Sequence, residues 1–163
     1  VYVVLNFAGT VRLGWINISV ASLPVIVGAM LYGPVGGLLV GLLGAFMGQL
    51  LTYGVTATTI LWILPQAARG LLVGVYAKHC GYKFSSGQLT LALIGTALVV
   101  TALNTGAMYI DSVIYNYYSY AYVFGGLVVR IISGAATAVL MVFVAPPVVN
   151  LLNRSLDTVR TAQ

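Results

Sequence analysis

Residues 32 to 51, YGPVGGLLVGLLGAFMGQLL, carry no charge and repeat glycine at helical spacing. Gly33, Gly37 and Gly41 stand four apart, Gly44 and Gly48 continue the stripe, and Pro34 sits where a first helical turn needs no amide hydrogen. In water such a helix is poor, because each interior glycine costs about 1 kcal/mol relative to alanine. The pattern suits a place where the backbone must bond to itself because no water competes, and the bilayer is that place. About 20 residues at about 1.5 Å each cover the roughly 30 Å hydrocarbon core. Small residues four apart let neighbouring helices approach nearly backbone to backbone. The stretch reads as the central helix of a membrane bundle, with these glycines as helix-packing or partner-contact positions.

Charge supports this. Seven basic and two acidic residues, 6% of the chain against 61% hydrophobic, cannot solvate the surface of a soluble domain of 163 residues. The fold class expected is all-α integral membrane, a single transmembrane domain over residues 1–163. The net charge of +5 is scattered and forms no patch for a nucleic acid. The single Cys80 excludes an internal disulfide and a paired cysteine metal motif, so no metal or cofactor is expected.

Six spans are expected. The apolar run VYVVLNFAG at residues 1–9 reads as part of a first helix, truncated in this chain, and RLGWIN at 12–17 as a surface loop with the interfacial Trp15. A second helix, 18–32, contains Pro24 and is short enough to be kinked or incomplete. The glycine helix is the third. The others are placed at 58–77, 88–108 and 123–144, the last ended by Pro146-Pro147, and an amphipathic tail follows at the interface. Between the last two lies YIDSVIYNYYSYAY, 109–122, with six of the chain's eleven tyrosines.

Lys78, Lys83, Arg154 and Arg160 fall on one side of this topology, which makes both termini cytoplasmic. Three stretches then face outward: Arg12 to Asn17, the threonine turn at 53–59 with Thr58, and the tyrosine run with Asp111 and Tyr115. Beneath them Trp62, Asn104 and Arg130 lie in the outer halves of separate helices, so a pocket open to the outside is expected. Arg12, Trp15, Asn17, Thr58, Trp62, Asn104, Asp111, Tyr115 and Arg130 are its candidate residues. Each also has a structural reading: Arg130 can snorkel or pair with Asp111, Asn104 can bond a neighbouring helix, and Trp62 and the tyrosines can form core or belt. Arg69 reads as structural or partner-contacting.

Residues 18–51, ISVASLPVIVGAMLYGPVGGLLVGLLGAFMGQLL, resemble the second and third helices of the substrate-binding S components of energy-coupling factor (ECF) vitamin transporters. LVVTALNTGAMYIDS, 98–112, resembles the fifth helix of the folate-type branch, which has an LNT element near its pocket. Where folate-type members carry an aromatic GxYFPGF-like segment before helix four, this chain reads YGVTATTILWILP, and the family's helix-one AxxxA motif is not seen. The resemblance implies a six-helix subunit in a prokaryotic plasma membrane, surrounded by lipid, that captures a water-soluble vitamin outside the cell. It also implies a transmembrane coupling subunit and two cytoplasmic ATPases as partners. Folate is the first candidate, being a flat ring with a carboxylate; pantothenate, a pyrimidine precursor or another micronutrient are alternatives. An ion-coupled carrier, a channel or a small integral-membrane enzyme is the competing class. An enzyme needs paired acids, a metal cluster or a nucleophile with its base, and two acids and one histidine supply none.

Overall fold

A computed structural model describes the backbone of residues 10–13, 16–82 and 86–161 and the side chains of 21–82, 87–152 and 154. The expected first span lies outside the described residues. Strands β1 (Thr10–Leu13) and β2 (Ile16–Ser19) pair antiparallel, with Arg12 opposite Asn17, and a 3-10 turn follows at Val20–Ser22. The surface loop expected at 12–17 is thus corrected to a hairpin. The alternation VRL and INIS, rich in β-branched residues, favours extended backbone once a partner strand is adjacent.

Helix α1, Leu23–Tyr53, is interrupted at Gly33, whose φ of 73° and ψ of −159° are open only to glycine. The break splits it into a short arm, 23–32, and a long arm, 34–53. A Cβ built on Gly37 would lie 2.6 Å from that of Ala29, and one on Gly28 would lie 3.0 Å from Val40 Cγ2. Residues eight and twelve apart along a straight helix could not meet, so the chain doubles back at Gly33. The second expected helix is therefore incomplete, about half the roughly 30 Å core at about 1.5 Å per residue.

The long arm packs antiparallel on α2, Thr59–His79. Gly33, Gly37, Gly41, Ala45 and Gly48 are buried, whereas Gly44 is only half-buried. A Cβ on Gly37 would strike the Gly70 carbonyl, one on Gly41 the Gln66 carbonyl, and one on Gly74 would come within 2.5 Å of Pro34 Cα. The opposite face exposes Val35, Leu39, Leu43, Met47 and Leu51, an apolar stripe at four-residue spacing suited to lipid.

Three further helices complete the bundle: α3 (Ser86–Ile114), the short α4 (Tyr120–Phe124) and α5 (Leu127–Thr161). Two expected ends are corrected. Helix α3 continues past 108 and takes up Asp111 and Ser112, because YIDSVI keeps helical spacing with those two buried. Helix α5 runs through Pro146 and Pro147, which remove two amide donors without ending it. Such breaks are tolerated in membrane helices because local adjustment and neighbouring groups re-satisfy the freed carbonyls.

Four helices among the described residues are long and apolar enough to cross a membrane; of the six spans expected of the whole chain, the first lies outside the described residues and the second is the short arm. The core occupies the Gly33 end, where Met30, Val73, Leu89 and Met141 are fully buried together. Toward the other end the bundle opens, and the polar residues gather there.

Candidate functional site

At the open end the turn TATT sets the approach to α2. The Thr56 amide donates to Thr59 Oγ1 at 2.7 Å, and the Thr59 amide donates back to the Thr56 carbonyl at 3.1 Å. Thr58 precedes the helix but its hydroxyl makes no capping bond. It donates instead to Asp111 Oδ1, fifty-three residues away on α3. Trp62 Nε1 reaches the same oxygen at 3.4 Å. The second carboxylate oxygen accepts from Tyr117, which arrives because Asn116 adopts a left-handed φ of 56° and turns the chain back after α3. Asparagine tolerates that conformation better than most residues. The Asp111 carboxylate, as acceptor, together with burial, pushes the Tyr117 hydroxyl above the ordinary tyrosine range. Sign follows from this: Tyr117 stays protonated and donating below the usual tyrosine pKa, and the bond weakens only in strong alkali.

These groups line an open cavity of about 340 Å³, with Gln49, Tyr53, Tyr115 and Tyr122 as further walls. A second cavity, about 250 Å³, lies between α2, α3 and α5. Gln66 and Arg69 face it from α2, Thr101 and Asn104 from α3, and Arg130 and Ser133 from α5. Each pair is three residues apart, the spacing that puts two side chains on one helix face. Arg130 donates to the Val123 carbonyl, to Met108 Sδ at 2.9 Å and to Thr105 Oγ1 and the Gly126 carbonyl at 3.4 Å each. Gln66 carries a buried amide oxygen with no hydrogen-bond partner among the described residues.

The single pocket expected is thus two. Thr58, Trp62, Asp111 and Tyr115 meet in the outer cavity, and Asn104 and Arg130 in the inner one. Arg130 does not pair with Asp111, whose donors among the described residues are all neutral. Arg12 and Asn17 are cross-strand partners in the hairpin, with side chains outside the described set, and Trp15 lies outside the described residues. Arg69, read from the sequence as structural or partner-contacting, borders the inner cavity. Gln66, Tyr117 and Tyr122 were not singled out as binding residues. The three-residue spacing of Gln66 and Arg69 was visible in the sequence and could have found that pair.

A family model for the ECF transporter substrate-specific component matches residues 1–149. The chain belongs to this family. A 75-residue stretch is 39% identical to a UPF0397 protein of Leuconostoc citreum (strain KM20), covering 46% of this chain and 37% of that relative, so the match spans little more than a third of the relative's length. No solved structure gives a significant match. An ECF substrate-specific component is a part of a transporter, not an enzyme, and with four apolar helices among its described residues this one is a multi-pass membrane protein.

In this substrate-specific component the Thr58–Asp111 bond ties α2 to α3 at the open end. Thr58→Val removes a charge-assisted bond while keeping shape, and is expected to cost about 1.5–3 kcal/mol. A detergent-titration unfolding curve reads it. A loss below about 0.5 kcal/mol would show that Asp111 finds an equivalent donor.

Proposed function

We propose that this protein captures a small water-soluble vitamin bearing a carboxylate, from outside the cell, and delivers it within an ECF importer energised by partner subunits. The observation that carries the reading is the inner cavity, where Arg69 and Arg130 converge from different helices beside Asn104, Gln66 and Ser133. Cations inside a membrane bundle are expensive and mark solute pathways. Arginine matches a carboxylate in two parallel hydrogen bonds. The buried, unpartnered Gln66 oxygen supports a ligand that also donates.

Folate is the first candidate, since Trp62 and the tyrosines of the neighbouring cavity offer stacking surfaces for a flat ring. Pantothenate, with the carboxylate and no ring, is the second. Mass spectrometry of the ligand retained through detergent purification tests the reading. A co-purified carboxylate vitamin is the expected result, and a ligand without any anionic group would overturn it.

The full proposed architecture has six spans, cytoplasmic termini, one transmembrane coupling subunit and two cytoplasmic ATPases, with the cavities opening outward. In a Cys80→Ser background, Ser86→Cys is expected to react with an impermeant maleimide only from the cytoplasmic side. Ser119→Cys, in the turn before α4, is expected to react only from outside. The reverse labelling pattern would place the cavities on the cytoplasmic face.

A further inference from the structure

The two cavities differ in sign. Among the described residues, the inner one is lined by two arginines and no acid, and the outer one by Asp111 and no lysine, arginine or histidine. Asp111 is 8% exposed, one of only two acidic residues in the chain. Its three donors among the described residues, Thr58, Trp62 and Tyr117, are neutral, so they satisfy lone pairs without cancelling the charge. A buried uncompensated carboxylate is costly, and a cation seated beside it recovers that cost.

The walls are suited to one kind of cation. Trp62, Tyr53, Tyr115, Tyr117 and Tyr122 surround the space, and Tyr117 and Tyr122 meet edge to face, with centroids 5.5 Å apart and planes at 82°. Aromatic faces are electron-rich and attract a cation whose own hydration is weak. A strongly hydrated metal ion would want several oxygen ligands, which one carboxylate already holding three donors does not supply. From the aromatic walls and the single carboxylate we infer that the outer cavity is a recognition site for an organic cation, a quaternary ammonium or positively charged ring nitrogen. It is distinct in chemistry from the carboxylate site between the arginines, and it competes only with the placement of a folate ring against Trp62 and the tyrosines.

The test uses the whole protein in detergent, with Trp15→Phe so that Trp62 is the remaining indole. Choline and its neutral isostere 3,3-dimethylbutan-1-ol are titrated against Trp62 fluorescence. Choline is expected to bind saturably and about ten-fold tighter or better, an effect in the range of cation–π attraction beside a carboxylate. Asp111→Asn is expected to bring the two probes within about two-fold of each other. Because that variant disturbs the bonds from Thr58 and Tyr117, Tyr115→Leu provides a second reading. It leaves those bonds in place and is expected to lower choline affinity about five-fold, with little change for the alcohol. Equal binding of both probes to the unsubstituted cavity, no saturable response to choline, or full selectivity in a folded Asp111→Asn or Tyr115→Leu protein would each overturn the inference.

Discussion

Gly37→Leu and Gly41→Leu are each expected to yield no stably folded protein, read as loss of the monodisperse peak and of cooperative unfolding in detergent. Even a Cβ on Gly37 would strike the Gly70 carbonyl, and one on Gly41 the carbonyl of Gln66. Those atoms are backbone in the middle of a helix and cannot swing aside as a side chain can. The helices would have to separate along the whole seam, and Gly37 is further pressed by Ala29 of the short arm. Overpacking a well-packed core costs about 1–3 kcal/mol where side chains can adjust, and more where they cannot. Gly95→Leu and Gly106→Leu are the controls, since a Cβ there meets nothing within 4 Å. If the seam variants fold as well as those controls, α1 and α2 are not held by close backbone approach.

Arg130→Ala and Asn104→Ala are expected to weaken binding of the co-purified vitamin by about 1–3 kcal/mol each, the cost of a lost hydrogen bond to a charged group. That corresponds to about 5- to 150-fold in affinity. Both residues border the inner cavity from different helices, and Arg69 enters it from a third. Arg130 has a second role, because its donors also hold the Val123 carbonyl of α4 and the Gly126 carbonyl just before α5. Arg130→Lys separates the two, keeping the charge while losing the planar fork. Binding retained by the lysine variant and lost by the alanine variant would identify charge as the main term. Isothermal titration with the identified ligand reads all three, and unchanged affinity in both alanine variants would move the carboxylate site elsewhere.

The glycine helix was legible because its signal is local: a four-residue stripe of small residues has one use where no water competes. The reversal at Gly33 was half legible, since Pro34 marks a helix start and 18–32 is short, yet nothing in the sequence distinguishes a kink from a full return. That depends on Ala29 and Gly28 finding the facing long arm. The hairpin was missed because RLGWIN punctuates like a loop, and its pairing is a relation between two short segments. Asp111 and Arg130 were both picked out as polar residues near the outer side, but assigning them to one pocket needed the angular positions of three helices. Those positions follow from packing, and Thr58, Trp62 and Tyr117 claim Asp111 first.

The half-length arm also sets the dielectric of the bundle. An arm of ten residues rises about 15 Å, and the 3-10 turn and a two-stranded hairpin lead into it, with β2 against α5. A two-stranded sheet leaves backbone groups unpaired along its edges, and at membrane depth such groups persist only against protein or water. Ala21 and Ser22, at the foot of the hairpin, border the same cavity as Arg69 and Arg130. Substituting a polar hairpin for half a helix therefore draws solvent polarisability into the bundle. Two guanidinium charges can stand there at a fraction of their cost in hydrocarbon, and the anion of the proposed function need surrender only part of its hydration shell to reach them.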